Sequence, residues 1–345
     1  VRGDDLEYND LAFGFSNSME STGAVVMESH SSSFSSAFDY ENFDLDPSVS
    51  SVRIGKTTNT ANVVIKDPVA MAGPISIYGG DILLEEDLTS TLSGADVLVK
   101  GRGDVEAVAS RSFLTNNGDI VFWSNSDNSG VGSIKLGNDN VLNSSNGRSG
   151  DTDSGGGKIT LGGGSGSGTS PTGYSSSSSA PGIKLGTSTS NHTQFYSGGG
   201  DISIKGSSTA TGLVDDRDES GIYQWGRMTM KSGRGAITML GTSSEYQGIG
   251  FVAPVSESDI GAKQLSLVSS KTSGTAIQLT GSSSSGVGIG FNYQNPKEVL
   301  SLGGGQVTIS GTGSGTHGVV MQNLDLLSTA GSLNVYGGTG GVSLG

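Results

Sequence analysis

A short phrase recurs along this chain and restricts what it can fold into. It reads GGGKITLG at 155–162, GGGDISIKG at 198–206, GRGAITMLG at 233–241, SGTAIQLTG at 273–281, GGGQVTISG at 303–311 and AGSLNVYGG at 330–338. Each is glycine, then four or five residues alternating polar and apolar, then glycine again. That pattern predicts a short strand with one face inward, closed by a turn. The phrases begin near Lys158, Asp201, Ala236, Ala276, Gln306 and Ser332, in steps of 43, 35, 40, 30 and 26 residues. Uneven steps fit a coil whose turns accept insertions better than an exact-period array.

Two further phrases lie in each interval. A Gly-Ile or Gly-Val phrase follows the first: GIKLG at 182–186, GLV at 212–214, GIGFVAP at 248–254, GIGFNYQ at 288–294, GVVMQ at 318–322 and GVSLG at 341–345. A Leu- or Met-rich phrase comes next, as in GRMTMKS at 226–232 and KQLSLVSS at 263–270. Three short strands per turn predict an all-β parallel β-helix, whose coils bury their apolar faces only by stacking. An antiparallel sandwich is the alternative, but Asn-Gly and Asp-Gly hairpin signals are scarce. Strand-like phrases extend back to SVRIGKT at 51–57, for eight to ten coils over 51–345. Residues 1–50 carry acid and aromatics, including Phe34, Phe38, Tyr40 and Phe43. They read equally as a terminal cap or as irregular first coils.

Glycine supplies 58 of 345 residues without a collagen period, and cysteine is absent. The formal net charge is −14 with no basic stripe, which argues against nucleic acid as a partner. No run of about 20 apolar residues spans a membrane. The chain stops inside a coil phrase, so the rod is expected to continue beyond Gly345 and to meet other copies or neighbouring modules end to end.

Candidate sites are few. Asp215, Asp216, Asp218 and Glu219 form the densest acidic cluster, beside Tyr223 and Trp225, where carboxylates next to aromatics could bind or hydrolyse a sugar. The same residues also read as a solvated loop. Asp151 and Asp153 lie in an oxygen-rich loop that could hold calcium, although neither an EF-hand nor a calcium β-roll repeat is present. No other cofactor is expected. His30, His192 and His317 are too scattered for zinc, and no nucleophile or phosphate-loop motif has its structural setting. Arg2-Gly3-Asp4 matches a cell-binding tripeptide, and Asn143-Ser144-Ser145 and Asn191-His192-Thr193 are glycosylation sequons. Tyr174, Phe195, Tyr196, Tyr246, Tyr293 and Tyr336 are candidates for an outward aromatic row or for corner packing.

The Gly-bracketed phrases at 155–162, 198–206, 233–241, 273–281 and 303–311, with their GIGF and LSL companions, resemble filamentous haemagglutinin-like adhesins and autotransporter passengers. The resemblance covers roughly 60–345. It implies a right-handed helix, secretion to the cell surface, and a role in adhesion, biofilm or surface layers. The haemagglutinin secretion-domain motif is not visible in 1–60, and no residue role carries over. The leading expectation is therefore a non-enzymatic structural or adhesive rod, extracellular, with host, bacterial or matrix glycans as candidate ligands. The alternatives are a polysaccharide-active β-helix enzyme or phage tail-spike, supported if 215–225 forms an acidic groove, and a carbohydrate-binding module.

Overall fold

The alternation seen in the sequence becomes three sheets that run the length of the chain. The computed structural model describes residues 22–188, 192–212, 216–252, 264–292, 296–315 and 317–345, with the backbone alone for 17–19, Asp216, Arg217 and Val252. The first sheet sets eleven strands in line, from Ala24–Met27 through Ile159–Ser167 to Leu333–Tyr336. The second also has eleven, from Phe38–Tyr40 to Val342–Leu344. The third has nine, from Val69–Met71 to Leu324–Ser328, and Asn17–Met19 pairs with Phe43–Leu45 ahead of it. The chain visits the sheets in turn and pairs each strand in parallel with its equivalent one coil on. The fold is a right-handed parallel β-helix of eleven coils. At about 4.8 Å per coil the described rod is roughly 50 Å long.

The first coil begins at Ala24, within the segment where the glycine-bracketed phrase is missing. Phe34, Phe38, Tyr40 and Phe43 are buried in its interior, with Phe34 and Phe38 stacked at 4.7 Å. Further along, alternation builds unbroken apolar columns. Val52, Ile75, Val97, Ile120, Ile159, Ile202, Ile237, Ile277 and Val307 stack in the first sheet, all fully buried. Phe113, Leu142, Phe195, Met230, Leu267 and Val299 do so in the third. Phe195 is thus a core residue and not part of an outward aromatic row.

Two long polar side chains occupy inward slots among the apolar columns. Gln224 stands between Leu185 and Phe251 in the second sheet and turns its amide to the Gly226 carbonyl. Its strand, Ile222–Trp225, is the second strand of the seventh coil. The GLV phrase at 212–214 does not mark that strand: Gly212 lies in a bend before it, and Leu213 and Val214 lie outside the described residues. Lys297 stands between Leu265 and Leu324 in the third sheet, 2 % exposed, with Nζ donating to the Gln322 carbonyl at 3.1 Å.

Polar side chains hold the corners. At the end of the third sheet, hydroxyls turn inward and donate to carbonyls of the following turn: Thr115 to Gly118, Ser144 to Gly157, Ser197 to Gly200, Ser232 to Gly235 and Ser301 to Gly305, at 2.5–2.8 Å. These bonds satisfy buried backbone acceptors that no strand can reach. At the next corner Gly206, Gly241, Gly281 and Gly311 stack in register. A Cβ on Gly241 would lie 2.0 Å from the Gly248 carbonyl oxygen, so the two strands approach as only glycine permits. Aspartates entering strands form a third device. Asp81, Asp104, Asp119 and Asp201 each accept the backbone N–H of Asp104, Ser133, Lys158 and Ala236, one coil further on, at 2.7–2.9 Å.

The glycine- and serine-rich insertions fold back onto the rod. Ile159–Ser167 overruns its sheet and pairs antiparallel with Ser170–Gly173. This hairpin covers Trp123, which points outward yet is 1 % exposed and donates Nε1–H to the Gly164 carbonyl at 3.0 Å. Lys100 Nζ sits 3.6 Å from the Trp123 ring centroid, and burial lowers the pKa of its ammonium. The 143–157 loop packs on the next two coils, through Gly156 N–H to Gly198 and Arg234 N–H to Asp153.

Candidate functional site

Inward positions are consumed by stacking, so chemistry is confined to outward rows and corners. The acidic and aromatic segment falls on the outer face of the second sheet in the seventh coil. Asp215 lies outside the described residues. Asp216–Glu219 form one turn of 3-10 helix that leads into the strand Ile222–Trp225. Asp218 Oδ1 meets Lys184 Nζ at 3.0 Å, and that ammonium lies 5.9 Å from the Tyr223 ring centroid. Tyr223 and Trp225 meet edge to face at 5.6 Å. Glu219 is buried and Tyr223 is fully buried, while Trp225 is half-buried. The structure thus brings Asp218 and Tyr223 to Lys184, with Trp225 against Tyr223. Asp218 is held in an ion pair and Tyr223 shows no open ring face.

Asp151 and Asp153 lie elsewhere, in the loop packed on the corner between the third and first sheets. Asp151 Oδ1 is 2.9 Å from Lys231 Nζ, and Asp153 Oδ2 accepts Gly150 N–H at 2.7 Å. Each carboxylate has an internal partner that fixes the loop. Among the described residues no three His, Cys, Asp or Glu side chains converge on a point fit for a metal ion.

A different outward row emerges where the third sheet begins. His192 pairs in register with Arg227, and Met228 pairs with Leu265, which sets Gln264 beside Arg227. Met228 and Leu265 face the core, so His192, Arg227 and Gln264 occupy the outer face on three successive coils. The adjoining outward column is Gln194, Thr229, Ser266 and Glu298. His192 Nε2 and Thr229 Oγ1 are 2.8 Å apart, and Ser266 Oγ donates to Glu298 Oε1 at 2.6 Å. Burial, then the Arg227 charge, lower the His192 pKa against the opposing pull of Asp139, so the ring is neutral at pH 7. Gln264 is 2 % exposed, yet neither its amide oxygen nor its amide nitrogen has a hydrogen-bond partner. Arg227 Nε is likewise buried without one. The signal was present in the third phrases, which place His192, Arg227 and Gln264 two residues before Gln194, Thr229 and Ser266. Only the register reveals that these neighbours touch.

The other sequence candidates divide simply. Asn143 is buried, with its amide on the Arg148 carbonyl and its oxygen on Ser145, so this sequon presents no free side chain. Asn191, Tyr293 and Arg2-Gly3-Asp4 lie outside the described residues. Tyr196 is half-buried and donates to Gln194 Oε1 at 2.6 Å, and Tyr336 is 56 % exposed in the last coil. Among the described residues no helix is long and apolar enough to cross a membrane. No protein-family model, curated protein or solved structure matches the chain.

Proposed function

We propose that this chain is a structural or adhesive rod module of a large secreted bacterial surface protein. The observation that carries the reading is the parallel stacking of eleven coils, in which inward strand side chains are spent on stacking and the described glycine- and serine-rich insertions are packed down. Such a solenoid is stiff along its axis and holds lateral surfaces at fixed spacing, which suits display and multivalent attachment. The phrase pattern shared with haemagglutinin-like adhesins and autotransporter passengers supports the same assignment. We read the module as non-enzymatic, because the Asp218 carboxylate is held by Lys184 and the Tyr223 ring is sealed. Its partners are then other copies or neighbouring modules along the rod axis, and glycans on its sides.

Immunogold labelling of intact cells with antibody raised against the purified chain tests the placement. Gold on the outer surface of unbroken cells is the expected result. Label that appears only after permeabilisation would sink the reading.

A further inference from the structure

The structure assigns Asn146 as a self-modifying site, where the chain cyclises through Gly147 and reopens as aspartate or isoaspartate, with water as the only co-reactant. The inference goes beyond the surface reading and does not depend on what the rod attaches to.

The chain holds two Asn-Gly pairs, Asn117-Gly118 and Asn146-Gly147, and the fold treats them oppositely. Asn146 and Gly147 are both exposed, with φ of 56° and 75°. They are the central residues of a type I′ turn closed by Arg148 N–H on the Ser145 carbonyl at 3.3 Å. Among the described residues neither the Asn146 side-chain amide nor the Gly147 N–H makes a hydrogen bond. Beyond its chain neighbours, no atom lies within 4 Å of the place a Gly147 Cβ would take, so this peptide is free to turn. Asn117-Gly118 is held at both residues. Asn117 Nδ2 donates to Asn116 Oδ1 at 3.1 Å, and Asn117 Oδ1 accepts from Arg148 Nη2 at 2.7 Å. Gly118 is buried, and a Cβ there would lie 1.9 Å from the Ala95 carbonyl oxygen. Its own carbonyl accepts from Thr115 Oγ1 at 2.5 Å. That peptide cannot turn without breaking the corner.

Asparagine is among the thermolabile residues, and the step needs no further group. The Gly147 backbone nitrogen bonds to Asn146 Cγ and gives its proton to water. The Cγ–Nδ2 bond breaks, and the nitrogen leaves as ammonia after taking a proton from water. Glycine has no side chain to hinder this attack. The succinimide ring then takes up one water. Opening at Cγ leaves aspartate, and opening at the main-chain carbonyl leaves isoaspartate, with an added methylene in the backbone. The added length matters here because Arg148 ties the insertion down. Its Nε donates to the Ser145 carbonyl and its Nη1 to the Ser154 carbonyl, both at 2.8 Å, while Nη2 reaches Asn117 on the preceding coil. Lengthening the turn at 146 moves Arg148 off these partners, so conversion loosens the 143–157 insertion from the rod.

The test incubates the folded whole chain in neutral buffer beside a sample kept unfolded in urea. Peptide mapping by mass spectrometry follows both Asn-Gly pairs, and enzymatic carboxyl methylation scores isoaspartate. In the folded chain Asn146 should convert about tenfold or more faster than Asn117, whose reaction must first break a hydrogen bond to a charged group. In urea the two pairs should convert at similar rates, since the difference belongs to the fold. Equal rates in the folded chain, faster conversion at Asn117, or an Asn146 that converts in urea and not in the fold would overturn the site. Brief trypsin treatment of the native protein reads the consequence. Cleavage after Arg148 should be severalfold faster in the incubated chain than in the fresh one. Asn146→Gly, which keeps a positive φ and has no side-chain amide, should show no such gain on incubation. An incubated chain cut no faster than a fresh one, or an equal gain in Asn146→Gly, would overturn the loosening.

Discussion

Single residues decide where this fold is intolerant. Gly241 is one such point, since a methyl group there would meet the Gly248 carbonyl oxygen at 2.0 Å. Gly241→Ala should destabilise the rod by about 1–3 kcal/mol, read as a lower urea midpoint with an unchanged slope. A midpoint equal to wild type would show that the corner can open. Lys297 is another. Burial pushes its ammonium from the ordinary 10.5 down to about 8. The unfolded chain then holds that proton more tightly, so stability should rise with pH between about 8 and 10.5 and lack this contribution below. Lys297→Met should raise stability at pH 7 and flatten the rise, as the difference between two urea series from pH 7 to pH 10.5. A rise of the same size in the variant would assign it to other groups. The aliphatic columns were legible because alternation repeats them at every coil. Gln224 and Lys297 were not, since a polar residue in an inward slot looks like a break in the pattern. For the same reason the phrase pattern points to GLV at 212–214 and not to the strand Ile222–Trp225.

At the scale of elements, insertions and strands have separate duties. The overrun of the strand Ile159–Ser167, residues 162–167, with its partner Ser170–Gly173 contributes no large apolar side chain, but it hides Trp123. Replacing residues 165–172 with a two-residue turn should leave the far-ultraviolet spectrum of the coils intact. It should also shift tryptophan emission to the red and raise acrylamide quenching, and no change in either would mean that Trp123 is shielded by other groups. The composition of this segment does not say where it lies, because glycine and serine carry no hydrophobic address. The outward row had a similar fate. His192, Arg227 and Gln264 are 35 and 37 residues apart, and the uneven insertions hide their alignment until strand register is known. The acidic and aromatic cluster was visible because its members are close in sequence. Its carboxylate Asp218 proved to be engaged by Lys184, from the preceding coil.

For the whole molecule, contacts run almost entirely between neighbouring coils, so stability approximates a one-dimensional sum of coil and interface contributions. A defect in the middle should therefore divide the rod. Ile204→Asp, which puts a carboxylate between Leu161 and Met239 in the buried first sheet, should convert a single thermal transition into two. A single transition at lower temperature would instead show cooperativity reaching across the defect. The aspartate rungs add a direction to this array. In these four the carboxylate belongs to the earlier coil and the N–H to the later one. A completed coil thus presents a charged acceptor already in place for a strand that has not yet arrived, although at the N-terminal end Asp67 reaches back to accept Asn42 N–H of the coil before it. Along those coils the rod has a leading edge, and a chain threading out with its N-terminus first would find each of them templated by the one before.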